Sequence, residues 1–470
     1  ASYNVGLGYK TLYTNTTGEY NIGIGHEVLY GNTVGVRNVA VGRRTLYNNT
    51  TGSYNISIGQ ESMHDNTTGS NNVAVGYEAL RASSIGQFNT AVGYRALYSS
   101  TTASYNSAFG YETLYNNTTG QYNIAIGFRT LKANTTGQYN VGIGFESLLE
   151  NTGGQANVAV GYAANKENTT ATNNVAIGFS ALRETTTGSS NVAVGYEALR
   201  ISVTGYNNVA IGNSALRNNI SGHSNVAIGK DSLLNNTTGA FNVSMGYKTL
   251  ETNTTGQYNV GVGYEVLTDN TVGVNNVGMG YRALYLNTTG AKNVAIGFEA
   301  HRGNTTGVNN VSVGYQANYG ATTGINNVAI GNETNRYNVG GRDNIFVGHL
   351  AGRGTNGSYV GDYNIGIGTQ SSYVMTTGSN NVAIGGFTLF ANTTGAYNVA
   401  VGYQAVKSNT TGVNNIGIGL EALKDNTIGR DNVAMGTFAL ANNTTGNYNV
   451  GIGYQALEDN TTGEHNVAIG

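Results

Sequence analysis

An asparagine recurs every 17 residues along this chain, and that recurrence limits what the chain can fold into. It opens an Asn-Val-Ala-Ile-Gly-like block at Asn4, Asn21, Asn38, Asn55 and Asn72, and it keeps the same step to Asn344. After one step of 20 it resumes at Asn364 and runs every 17 residues to Asn466, giving 28 units in 470 residues. Nothing lies outside this register except a three-residue insertion. A 17-residue unit is too short to close its own core, so the units must stack and share one.

The unit opened by Asn123 is typical: Ile124, Ala125, Ile126, Gly127 and Phe128 follow it, then Leu131, then Asn134-Thr135-Thr136-Gly137. Residues one and three after the asparagine are β-favouring and apolar in nearly every unit. They read as a short period-2 strand with both positions facing inward. The glycine four after the asparagine stands in all 28 units. Such a position needs positive φ or has no room for Cβ. Asn-Thr-Thr-Gly supplies turn chemistry. The segment ending in leucine, such as Tyr196-Glu197-Ala198-Leu199, reads either as a second short strand or as a tight helical turn. The expected fold is all-β: a single continuous β-solenoid (β-roll) of about 28 coils spanning 1–470 as one uninterrupted repeat. An irregular stretch and the insertion lie around 335–363.

Each column of the repeat carries its own expectation. The opening asparagines, among them Asn4, Asn21, Asn38, Asn123 and Asn174, are candidates for a structural ladder, because an amide both donates and accepts. The position between the two apolar strand residues is small in 27 units, as at Gly6, Ala40, Ala125, Ala176 and Ala193, with Phe346 as the exception. If it faces outward, a column of small residues points to a lengthwise chain–chain seam; the alternative is crowding within the coil. Tyr or Phe follows the strand glycine at Tyr9, Tyr77, Phe128, Phe145, Tyr196 and Tyr264, and tyrosine often precedes the asparagine, as at Tyr20 and Tyr54. These columns are expected to pack coil on coil, or to present rings to a sugar or partner. The turn motif Asn-x-Thr makes Asn15, Asn49, Asn66, Asn117, Asn134, Asn236 and Asn253 candidate N-glycosylation acceptors if the protein is secreted. Otherwise they are simply good turn residues. The leucine position is taken by His301, Asn318, Asn335, Gly352 and Ser372 in five successive units, where lost packing is expected to cost about 2–5 kcal/mol per coil.

Composition narrows the function. With 23 basic against 25 acidic residues there is no basic excess to neutralise a phosphate backbone, so nucleic acid is not an expected partner. No run of about 18 apolar residues suits a membrane-spanning helix. Zero cysteine removes disulfides and thiolate metal sites. The six histidines, His26, His64, His223, His301, His349 and His465, fall in unrelated coils without paired carboxylates. No catalytic residues, metal ligands or cofactor are therefore assigned, and an enzyme is not expected. The repeat is in mid-coil at both Ala1 and Gly470, which reads as a segment of a longer array or as ends that stack on other copies.

The strings Asn174-Val175-Ala176-Ile177-Gly178 and Asn293-Val294-Ala295-Ile296-Gly297 resemble the head repeats of trimeric autotransporter adhesins. Whole units, such as Asn168 to Gly178, are similar to repeat arrays of bacterial and phage tail-fibre-like proteins. The resemblance implies a left-handed β-roll, lengthwise association of three chains, and a role in adhesion or fibre building. The 17-residue period is longer than that of the adhesin head. Together these readings predict an extracellular or cell-surface structural fibre or surface-adhesin rod that self-associates as a homo-oligomer, trimer or filament. The alternative is a binding module: a carbohydrate-binding adhesin head meeting a host surface, or an ice-binding solenoid.

Overall fold

The computed structural model describes residues 2–355 and 360–470. The protein is all-β, with 28 short strands and no helix among the described residues. It divides into two compact units, Ala1–Thr238 and Gly239–Gly470. Each is a parallel β-solenoid in which one strand per coil pairs with its equivalent one repeat away. The first unit runs from β1 (Val5–Leu7) to β14 (Val226–Ile228), the second from β15 (Val243–Met245) to β28 (Val467–Ile469). Register is strict: Val175 pairs with Val192, Ala176 with Ala193 and Ile177 with Val194, all in parallel. At about 4.8 Å per coil, fourteen coils rise roughly 65 Å.

The interior reverses the expectation for the strands. Ala40, Ala125, Ala176 and Ala193 are fully buried, whereas Ile126 and Ile177 are exposed. Val141 and Ile143 are half-buried, and of the trio Val141, Ile143 and Leu148 only Leu148 lies wholly inside. The inward face of the strand is therefore asparagine, alanine and glycine. The outward face is valine, isoleucine and an aromatic ring. Thickness explains the reversal. A Cβ built on Gly142, at the small position, would crowd Thr130 Cγ2 and lie 3.4 Å from Leu131 Cδ1. The strand thus rests directly on the leucine segment of its own unit or the one before, and only a small residue fits between. The small column from Ala40 to Ala193 marks crowding within the coil, and the chain–chain seam assigned to it is overturned. Gly6, in the first described coil, is exposed. Where the small residue is serine its hydroxyl is bonded indoors: Ser57 Oγ donates to Ser62 Oγ (2.8 Å) and Ser244 Oγ to the Thr249 carbonyl (2.7 Å).

The leucine segment is neither strand nor helical turn. In the coil of Asn123, Arg129 (φ 52°) and Leu131 (φ 52°) are left-handed, as is Tyr139 (φ 59°) at the next corner. Left-handed backbone disfavours a residue with a Cβ by about 1–2 kcal/mol, and this coil places three such residues. Each one's amide is used between coils: Arg129 N donates to the Tyr111 carbonyl (2.8 Å), Leu131 N to that of Ser147 (3.0 Å) and Tyr139 N to that of Gln121 (3.1 Å). The strand glycine is required on both grounds expected of it. Gly127 has φ 131°, and an added Cβ would overlap the carbonyl oxygen of Gly144.

Two irregularities of the sequence turn out to be one compensation. Phe346 is fully buried in place of alanine, and its ring occupies the space that a side chain at Gly352 would need. Gly352 stands where leucine normally does, so a large–small pair has exchanged positions within one coil. The three-residue insertion falls between Gly354 and Gly361, a stretch of which residues 356–359 lie outside those described. The solenoid absorbs it without losing register. Ile345 pairs with Ile365 across the longer step, and Asn344 Nδ2 still reaches the turn carbonyl of Gly361 at 2.8 Å.

Ala176→Asp should bury an uncompensated charge and destabilise the first unit by at least about 3 kcal/mol, while Ile177→Asp should cost about 1 kcal/mol or less; thermal melting of the two variants checks this. Phe346→Ala should cost about 3–5 kcal/mol, and adding Gly352→Leu should recover most of it, because the cavity is refilled from the opposite wall. A double-mutant cycle measures the recovery.

Candidate functional surface

Two asparagine ladders hold the coils together. Asn123 Nδ2 donates to the Gly137 carbonyl of its own coil (2.9 Å) and to Asn106 Oδ1 of the coil before (3.2 Å). Its own Oδ1 accepts the Asn140 backbone N–H (3.0 Å) and Asn140 Nδ2 (3.1 Å). Asn21, Asn38 and Asn174 occupy the same place. Asn4 does so at the first coil, bonding Gly18 (2.9 Å) and Asn21 N (2.9 Å). The second ladder is built from the turn asparagines. Asn134 Nδ2 donates to Asn117 Oδ1 (2.7 Å) and to the Gly137 carbonyl (3.1 Å). Asn49, Asn66, Asn117, Asn134, Asn236 and Asn253 are fully buried, and Asn15 is half-buried. A glycan on any of those six amides would have to leave through the coil wall. The burial of the six contradicts their assignment as acceptors and agrees with the turn reading; the assignment of Asn15, which is half-buried, is not contradicted.

Outside, each coil presents four aligned columns. The valine and isoleucine columns contain no charged residue in any of the 28 strands. On one flank the rings after the strand glycine stack face to face. Tyr77, Tyr94, Tyr111, Phe128, Phe145, Tyr162, Phe179 and Tyr196 form one run with centroids 5.0–5.4 Å apart and planes within 5–11°. Tyr247, Tyr264, Tyr281, Phe298 and Tyr315 form another in the second unit. On the other flank Phe88, Tyr105, Tyr122 and Tyr139 stack at 4.9–5.1 Å. Four of the histidines stack on aromatic rings: His26 on Tyr9 after the strand glycine, His223 on Tyr206 and His465 on Tyr448 before the asparagine, and His64 on Tyr47 in a further column that directly follows the leucine position. Stacking is thus a sufficient reason for those histidines.

Charge is concentrated at the leucine-segment corner, where ion pairs join neighbouring coils, with a smaller set at the corner before the asparagine that includes Arg37, Lys292, Arg342 and Asp362. Arg95 Nε meets Glu78 at 2.6 Å, Arg282 meets Glu265 at 2.7 Å and Arg44 meets Glu27 at 2.9 Å, each one coil apart. The bond from Arg44 holds the Glu27 carboxyl below the usual carboxylate range. Among the described residues no three His, Cys, Asp or Glu side chains converge as metal ligands, and no helix is long and apolar enough to cross a membrane. A hollow lined by Asn116, Arg129, Lys132, Leu149 and Glu150 carries no nucleophile–base pair, and its Lys132 Nζ is bonded to Glu112 at 2.7 Å.

The chain is therefore a β-solenoid repeat protein whose distinctive surface is an uncharged Val/Ile sheet face between aromatic columns. No protein-family model matches it, and no curated protein matches it significantly.

Asn123→Ala should leave the Asn140 amide buried without its acceptor, strip the Gly137 carbonyl of one of its two donors and cost about 2–5 kcal/mol, whereas Thr136→Ala on the exposed turn should change stability by less than about 0.5 kcal/mol. Chemical denaturation of the two variants tests the contrast.

Proposed function

We propose that this protein is a non-catalytic structural fibre of the cell surface or extracellular space whose solenoids associate side by side through the Val/Ile face. One observation carries the reading: large apolar side chains point outward along every coil, in columns that contain no charge. From the first apolar position to the ring, a strand spans about 13 Å, and fourteen coils rise roughly 65 Å, so each unit offers a footprint near 850 Å². Stable interfaces need about 800 Å² per partner. The ring column is interrupted by Arg43, Gln60, Asn213 and Lys230 in the first unit, but the valine and isoleucine columns run on without a charge, and an apolar strip of this length is more than a monomeric surface ordinarily leaves in water. The occupant that fits a flat, periodic, uncharged face with a 4.8 Å repeat is another face of the same kind.

The alternative binding functions fare less well on geometry. Sugars stack on the faces of aromatic rings, but here the faces are committed to one another and only edges are free. An ice-binding array needs a rank of free threonine hydroxyls, whereas the first threonine of the turn donates its hydroxyl to the next coil, as Thr135 Oγ1 does to the Thr152 carbonyl (3.0 Å).

The triple variant Ile177→Lys, Val194→Glu, Ile211→Lys places alternating charges on the face, so that no like charges are stacked between coils. It should abolish assembly in sedimentation velocity while leaving the melting temperature within a few degrees of wild type. Thr119→Lys with Thr136→Lys on the turn should leave assembly intact. A wild-type protein that sediments as a monomer would overturn the reading.

A further inference from the structure

In the second unit the interior leucine column is replaced by His301, Asn318, Asn335, Gly352 and Ser372. His301 is fully buried, and neither ring nitrogen has a hydrogen-bond partner. Asn318 and Asn335 are bonded to each other at 2.7 Å, and Asn318 also donates to Ser312 Oγ at 2.8 Å, yet Asn335 Oδ1 is left without a donor. The same coils are held from outside by a ladder of arginines and tyrosines. Arg302 lies between the Tyr285 and Tyr319 rings at 5.6 and 5.5 Å. Arg336 lies between Tyr319 and Tyr337 at 5.5 and 5.2 Å, and Arg353 between Tyr337 and Tyr373 at 5.2 and 5.6 Å. Arg302 also donates to the Tyr319 hydroxyl (3.0 Å), as Arg353 does to that of Tyr373 (3.0 Å). Here the coils are weak inside and clasped outside.

We propose that the coils around His301 form an acid-sensitive joint, the place at which the second unit opens first when the pH falls below neutral. The residues at interior positions of the coil before it (Asn276, Gly278, Ala283, Leu284, Asn287), of its own coil (Asn293, Ala295, Ala300, Asn304) and of the coil after (Asn310, Ser312, Ala317, Asn318) are all uncharged. The ionisable neighbours lie outside and are already engaged. Glu299 pairs with Arg302 (3.5 Å) and accepts from Gln316 (2.7 Å), and Arg282 pairs with Glu265. No carboxylate is therefore available to receive an imidazolium, and burial pushes the His301 pKa down to about 3. An opened coil restores an ordinary value near 6.5. The stability contributed by keeping His301 neutral is fully present above pH ~6.5 and is lost as the pH falls toward ~3. Within that window the opening equilibrium rises about tenfold per pH unit. Down to about pH 5 the carboxylates stay ionised, so the effect belongs to the histidine.

Hydrogen–deuterium exchange on the full chain, corrected for intrinsic rates, reads opening at the amides of His301 and Asn318, which donate to Ala317 and Thr334 at 2.8 and 2.9 Å. Between pH 7 and pH 5 their opening should rise roughly 25-fold, while the equivalent amides at Leu114 and Leu131 in the first unit should not respond. His301→Leu restores the usual residue and should abolish the pH response and slow exchange at both pH values. His301→Asn should leave the joint open to a similar degree at both. Protection at His301 and Asn318 that does not change with pH, or a pH response that survives in His301→Leu, would overturn the proposal.

Discussion

The narrowness of the coil is the constraint on which the rest depends. Seventeen residues make a loop whose strand and leucine segment lie against each other with room for one large side chain between them. Leucine takes that room in most coils, and the facing strand must then offer alanine, glycine or serine. Everything larger on the strand goes outside, which is why Val175 and Ile177 point away from a core that contains Ala176 and Leu182. Coil 344 shows the same limit from the other side. When the strand carries Phe346, the leucine position empties to Gly352.

A core this thin buries little apolar surface per residue, so hydrogen bonding carries unusual weight. The asparagines occupy two interior columns in which almost every amide meets a partner in the same or the adjacent coil. Left-handed corners at Arg129, Leu131 and Tyr139 are tolerated because each aims its amide at a neighbouring coil. Such an arrangement is cooperative along the stack, since each side chain satisfies groups on both neighbours. It also makes the loss of a large interior side chain serious, as in the run from His301 to Ser372. There the outer Arg–Tyr clasp supplies contacts that the interior lacks.

Much of this was legible in the residues. The 17-residue period gives the coil, its parallel register and the count of strands, because nothing else can be built from so short a unit. The glycine at Gly127 and its equivalents announced both its φ and its lack of space. What was not legible was the direction of the strand. Alternation of Val-Ala-Ile-Gly has the same period whichever face is buried, and the ordinary preference for burying the larger residue chose the wrong one. The cue lay in the small column itself: a position closed to every large residue in 27 of 28 units is more naturally enclosed than exposed. The turn asparagines misled for a related reason. Asn-Thr-Thr satisfies a glycosylation motif as it stands, and only the coil's geometry reveals that Asn134 points inward.

The central claim is that the strand carries its small residues inside and its large ones outside. The chain has no cysteine, so single thiols can report on it directly. Ala176→Cys and Ile177→Cys should be exposed to a maleimide under native conditions, with the protein dispersed to single chains in one arm. The account predicts rapid labelling at 177 and protection at 176 until the chain is unfolded, and in the assembled state protection at 177 as well. Labelling at 176 with protection at 177 in the dispersed chain would contradict it.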